Sequence, residues 1–298
     1  MADYYISPTG NDTTGDGSSS TPWLTTSKAH DNSVSGDRVI FKDGTYTAAN
    51  VEPMSEVRTY IAENTGLAII DGLQADVAVT VGVKDRTITI VGIVFTGFYR
   101  TGASDELPCL IVGQGSEFWL NFRSCTFHDM KFGAGNYTGG MIGATAFNGV
   151  GGSFTFDTCL FYDLIDDTNG AQTPTIVYAR EKMQFTPDYK ILNCTVYFDG
   201  SAAINGFFRV PPGGGDMTVN LEVKNSIFYG NGTEYIIASA GTVNNGNDYN
   251  CVYNMAANDY VAGSNDITSN PLFLDATDPA RDFRLQNSSP CLDTGNVV

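Results

Sequence analysis

The sequence predicts an all-β fold, a single parallel β-helix, and three observations carry the prediction. A six-residue phrase returns along the chain as "FRSCTF" (122–127), "FDTCLF" (156–161), "ILNCTV" (191–196) and "VKNSIF" (223–228). Each copy alternates apolar and polar residues with the two-residue period of a strand that buries one face. Thirty-three glycines and frequent Asn-Gly and Gly-Asp pairs supply turns for many strands within 298 residues.

In chain order, the domain 1–298 divides into an N-terminal cap (1–36), coils (37–256) and a closing segment (257–298). A solenoid has to cover its open ends. The stretch "STPWLTTSKAHDNSV" (20–34) offers a short capping helix with Thr21 as N-cap, Pro22 at the first helical position, and Trp23 and Leu24 as the plug. "GDRVIFKDGTYT" (36–47) then reads as the first coil.

Set in register, the repeats form columns. One reads Ile93, Cys125, Cys159, Cys194, Ser226, Cys251, and two residues on another reads Phe95, Phe127, Phe161, Val196, Phe228, Tyr253. Three and five residues before the first column, further apolar columns run through Phe122 and Phe156 and through Leu120 and Phe154. The hinge column is Gly92, Ser124, Thr158, Asn193, Asn225, Asn250, residue types that suit a tight bend. Strand-like runs "CLIVG" (109–113), "MIGA" (141–144), "TIVY" (175–178), "FFRV" (207–210) and "YIIAS" (235–239) lie between the copies. Each repeat thus carries strand, bend, short strand, loop and strand, the pattern of a stacked solenoid. The cysteines of the column read as small buried hydrophobes with free thiols, because parallel side chains on adjacent rungs suit a disulfide poorly.

The opening "YYISPTGNDTTGDGSSSTPWLTTSKA" with "GDRVIFKDGTY", and the ending "NPLFLDATDPARDFRLQNSSPCLDTG" (270–295), resemble right-handed parallel β-helix proteins of the pectin-lyase-like superfamily. The resemblance implies the right-handed coil over the whole chain. It does not single out an activity, because this shell serves polysaccharide lyases, glycoside hydrolases, bacterial surface proteins and phage tailspikes alike.

Composition narrows the function classes. A net charge of −17 disfavours nucleic acid and anionic membranes as partners. No apolar run approaches the eighteen or so residues of a membrane span. "MADYYISPTG" lacks the basic and apolar regions of a secretory leader, so either a leader has been removed or the protein is made without export.

Catalytic residues are not identifiable from the sequence. The outward columns hold Arg123 and Asp157 on consecutive coils, and likewise Lys190 and Glu222, with Lys224 nearby; these read as cross-strand ion pairs. Asp163, Asp166 and Asp167 share one loop, and "GNDTTGDG" (10–17) reads as an Asx-rich turn without the closing glutamate of a calcium loop. His30 and His128 have no ligand-like spacing, so neither a metal nor any other cofactor is expected. The glycan-binding candidates are Tyr178, Arg180 and Arg209, with Tyr178 beside Arg209 if "TIVY" stacks on "FFR". Between the Cys and Phe columns, Val94, Thr126, Leu160, Thr195, Ile227 and Val252 form an outward apolar strip. Such a strip is either a contact between copies in a homo-oligomer, a trimer first among them, or ground covered by a loop.

The expected function is a bacteriophage virion surface protein, of capsid-decoration or tailspike type, that is structural and glycan-binding rather than enzymatic. It would be made in the host cytoplasm, with virion proteins or host-surface polysaccharide as partners. The alternatives are a secreted polysaccharide lyase or glycoside hydrolase, and a non-catalytic bacterial surface adhesin.

Overall fold

The computed structural model describes residues 1–51, 54–55, 58–75, 79–82, 86–100, 110–112, 117–132, 140–144, 151–166, 175–178, 186–198, 200, 206–210, 218–239, 241–256, 259–277 and 279–295. Among these, the strands of the coil stack into three parallel sheets: sheet 1 of nine strands, sheet 2 of eight and sheet 3 of seven. A full coil visits them in that order. Glu117–Arg123 lies in sheet 1, Thr126–Phe132 in sheet 2 and Gly140–Ala144 in sheet 3. The predicted all-β solenoid is therefore the architecture.

The bend between sheets 1 and 2 follows from one conformation repeated. Gly92, Ser124, Thr158, Asn193 and Asn225 all have φ between 51° and 72°, the left-handed region that turns the chain without a loop. The bend fixes the phase of both flanking strands, so Phe122 and Phe127 of one coil both point inward and meet edge to face at 5.3 Å. Like rings then pile up between coils: Phe95, Phe127 and Phe161 stack at 5.2 and 4.8 Å, and Phe122 and Phe156 at 5.3 Å. Offset stacks of this kind contribute beyond the area they bury, and truncating one such ring to alanine costs about 3–5 kcal/mol.

Beside the rings runs a file of small polarisable groups. The backbone N–H of Cys159 donates to Cys194 Sγ at 3.4 Å, that of Cys194 to Ser226 Oγ at 3.1 Å, and that of Ser226 to Asn250 Oδ1 at 3.0 Å. In the other direction, each side chain is set to donate to a carbonyl of the coil before: Cys125 to Ile90, Cys159 to Phe122, Cys194 to Phe156, Ser226 to Ile191 and Asn250 to Val223. The ladder therefore does more than fill space, because it satisfies buried backbone groups at the corner.

Asn250 in that file corrects the predicted columns. The left-handed bend of the last coil falls on Tyr249 (φ 59°), and Cys251 pairs with Ile227 and Val252 with Phe228. The last coil has slipped by one residue relative to the sequence alignment. Cys251 therefore leaves the interior file, and Val252 leaves the outward strip.

The N-terminal cap also differs from the prediction. The helix spans Thr26–Asn32 and its N-cap is Thr25, whose Oγ1 accepts from the Lys28 N–H at 3.1 Å. Pro22 and Trp23 stay extended because Trp23 bridges to Ile6, and the Asp12 carboxylate takes the Leu24 and Thr25 N–H groups. Trp23 is buried and acts as the plug, while Leu24 is only half-buried. The boundary at residue 36 moves as well, since Asp3–Ile6 already forms the first strand of sheet 1 and pairs with Arg38–Phe41. Buried Arg58 ties the helix end to the coils by donating to Ser33 Oγ and to the Ser33 and His30 carbonyls. The stretch 10–17 is the predicted Asx-rich turn: Asn11 Oδ1 accepts from the Thr13 and Thr14 N–H groups.

After the last coil the chain returns along the outside of sheet 2. Phe273–Asp275 and Asp282–Leu285 form an antiparallel pair. Phe283 packs on Tyr162 and Tyr197, each at 5.2 Å, and Phe273 on Tyr197 and Tyr229, each at 6.1 Å. Arg281 closes the contact with an ion pair to Asp163.

Candidate functional site

The outer face of sheet 1 carries a groove of about 330 Å³ over its last three strands, Asp188–Leu192, Thr218–Lys224 and Thr242–Asn245. Its two walls arise from the period-two alternation of those strands. Tyr189, Leu221, Ile191 and Val223 point into the core, which forces Asp188, Lys190, Asn220, Glu222 and Lys224 outward.

The first wall is a ladder of side-chain amides and a carboxylate. Asn220 Nδ2 donates to Asp188 Oδ1 at 2.7 Å, and Asn244 Nδ2 to Asn220 Oδ1 at 2.9 Å. Rungs in register lie about 4.8 Å apart, so the wall offers a regular file of fixed acceptors and donors. The second wall is a charge triad: Glu222 Oε2 lies 3.3 Å from Lys190 Nζ, and Glu222 Oε1 lies 2.6 Å from Lys224 Nζ. Burial alone pushes the Glu222 carboxyl up, but the hydrogen bond from Lys224 and the charges of both lysines outweigh it and hold the group below its usual range. Glu222 is thus a fixed anion at neutral pH. The groove's two carboxylates and two ammoniums cancel in formal charge.

Of the cross-strand pairs read from the sequence, Lys190–Glu222 forms. Arg123 and Asp157 are in register, yet among the described residues no ion pair joins them. Asp157 Oδ1 instead accepts from Thr158 Oγ1 at 3.1 Å and Asn193 Nδ2 at 2.9 Å.

Tyr178 and Arg209 are in register on adjacent strands of sheet 3, as "TIVY" on "FFR" predicts. Arg209 is half-buried, and its charge acts on Tyr235. Arg180 lies outside the described residues, as does Asp167. Asp163 is engaged by Arg281.

The outward strip is no continuous stripe. Val94 is buried, and Val252 belongs to another register. Thr195 and Ile227 line a cavity with Leu285, Cys291, Thr294 and Gly295 of the returning segment. The chain's own C-terminal segment occupies that part of the face, and Thr126 and Leu160 are the half-buried remainder.

Two features went unread in the sequence. Asn220 and Asn244 gave no signal one at a time; only their register with Asp188 makes them a ladder. The outward aromatic column His128, Tyr162, Tyr197, Tyr229, Tyr253 stands one position beyond the Phe column in four coils, and its rings pair at 4.9 Å from His128 to Tyr162 and from Tyr197 to Tyr229. That column receives the C-terminal segment. Among the described residues no three His, Cys, Asp or Glu side chains converge as metal ligands, and no helix is long and apolar enough to cross a membrane.

No protein-family model matches the chain, and neither does any curated protein. Among solved structures the chain is similar to one described as a rhamnogalacturonan lyase, at 19% identity, over 87% of this chain and 75% of that one, with a TM-score of 0.41. The parallel strand registers themselves make the chain a β-solenoid.

Proposed function

We propose that the protein binds a neutral, hydroxyl-rich glycan in the groove on sheet 1. The observation that supports this reading is the Asp188–Asn220–Asn244 ladder beside the Lys190–Glu222–Lys224 triad on one outer face. Amide and carboxylate oxygens at a regular spacing match the hydroxyls of successive sugars, and each ammonium has donors left after meeting Glu222. A charge-balanced groove on a chain of net charge −17 disfavours polyanions.

Binding without hydrolysis is favoured because glycoside hydrolysis needs one carboxyl kept protonated beside an ionised one. Glu222 is held in the opposite state. Displayed on a virion, such a groove would hold host-surface polysaccharide; in a secreted enzyme it would position a chain for cleavage.

Neutral and acidic polysaccharides, titrated calorimetrically with wild type and with Asn220→Ala, test the reading. The expected result is binding of a neutral glycan, weakened about tenfold by the substitution, which is about 1.4 kcal/mol, with no change in polymer length. New reducing ends, or products with the ultraviolet absorbance of an unsaturated sugar, would replace the binding reading with a hydrolase or a lyase. Binding that ignores Asn220→Ala would remove the groove.

A further inference from the structure

The five described cysteines are all reduced, but they do not share one environment. Cys125, Cys159 and Cys194 sit in the interior file, fully buried, with their thiols aimed at carbonyls. Burial pushes the Cys125 and Cys159 thiols far up and leaves them inert.

Cys251 and Cys291 are different. The one-residue slip of the last coil turns Cys251 out of the interior and into the register of Ile227, facing the returning segment. Cys291 arrives from that segment, and both residues line the cavity between it and the last coils. The Cys251 thiol donates to the Ser269 carbonyl at 3.2 Å, on the same cavity that Cys291 lines. Cys291 is placed by its own N–H donating to Ser289 Oγ at 3.1 Å, and Ser289 Oγ in turn donates to the Pro271 carbonyl at 2.5 Å.

We propose that Cys251 and Cys291 form an oxidant-dependent disulfide that latches the C-terminal segment onto the last coil. Accessibility supports a defined order of events. Cys251 is 3% exposed, whereas Cys291 is only half-buried and is the sulfur an oxidant can reach. The nearness of the two thiols also lowers Cys291 from its ordinary value and raises Cys251, the asymmetry of an attacking and a resolving cysteine.

With a disulfide oxidant such as oxidised glutathione, the Cys291 thiolate attacks one sulfur and expels a glutathione thiolate. The Cys251 sulfur, losing its proton, then attacks Cys291 Sγ and expels the second glutathione. Two protein thiols are oxidised, and one external disulfide is reduced to two thiols.

The test treats the native full-length protein with oxidised glutathione, followed by peptide mapping under non-reducing conditions and thermal unfolding. The expected results are a Cys251–Cys291 cross-linked peptide, intact mass lower by two hydrogens, and a midpoint raised by about 5 °C, given the long loop the bond closes. Cys291→Ser, a change at a half-exposed site, should abolish both the cross-link and the shift. A lasting glutathione adduct on Cys291, linkage of either residue to another cysteine, or a cross-link that leaves protease release of the C-terminal segment unchanged would overturn the proposal.

Discussion

Asn250 and Ser226 are joined across two coils by the Asn250 Oδ1, which accepts the Ser226 backbone N–H at 3.0 Å. The same amide gives Nδ2 to the Val223 carbonyl at 2.8 Å. Asparagine thereby continues a file that three thiols and a hydroxyl began, and its own N–H passes the file on to Asp266 Oδ1 at 2.8 Å.

Asn250→Ala should therefore cost more than an ordinary surface change. It leaves the buried Ser226 N–H without a partner and takes one of two donors from the Val223 carbonyl, which keeps the Asp248 N–H, and about 2 kcal/mol of destabilisation is expected in urea unfolding. Ser226→Cys, which restores the residue type of the three preceding rungs, should stay within about 1 kcal/mol of wild type.

Tyr189 makes the opposite case. Its ring is buried and stacks on Phe154 at 5.3 Å, but among the described residues its hydroxyl finds no partner. Desolvation pushes that hydroxyl's ionisation far up. Tyr189→Phe keeps the ring and removes the unsatisfied group, so stability should rise by about 1 kcal/mol. A fall would place an ordered partner at the hydroxyl.

The triad on sheet 1 links stability to pH. Glu222 has a folded value held below its unfolded one, so its contribution is complete above the ordinary carboxylate range of about 4.3. It is lost as pH falls through the lowered folded value. Thermal midpoints of wild type and Glu222→Gln should differ at pH 7 in favour of wild type, then converge as the pH drops below about 4. A gap that persists in acid would mean the carboxylate charge is not what the lysines hold.

The C-terminal segment is predicted to peel away as a unit. Phe283 contacts Tyr162, Tyr197 and Phe273, and beside it Arg281 pairs with Asp163. Phe283→Ala should cost about 2 kcal/mol locally and raise the rate of proteolytic cleavage within 271–295 about tenfold or more, while the coils resist.

The rungs were legible in the sequence because stacking demands the same kind of residue at the same place: the Phe127 and Phe161 column and the Ser124 to Asn225 bends could be set in register by eye. The last coil was not. Asparagine is the usual occupant of a left-handed bend, so Asn250 drew the alignment onto itself, whereas Tyr249 takes the strained position and Asn250 serves the ladder. The helix start misled in a similar way, since Thr21-Pro22 fits an N-cap pattern that the Asp12 carboxylate overrides from a distance. The groove was half readable. Lys190 and Glu222 announced themselves as charges in one column, while Asn220 and Asn244 gained meaning only from register with Asp188. The returning C-terminal segment belongs to no repeat, so no periodicity could place Phe273 and Phe283 on the tyrosine column.

Only two residues separate the sheet 1 and sheet 2 strands at the corner occupied by Ser124, Thr158, Asn193 and Asn225. The chain lengths between strands at the other two corners vary from coil to coil. Foreign peptides are accordingly best grafted at those two corners, where the number of residues between strands already differs while the sheets stay in register. A single residue inserted after Ser124 would turn the following strand inside out, setting Phe127 toward water and Thr126 into the core, so this molecule is open to elaboration on two edges and closed on the third.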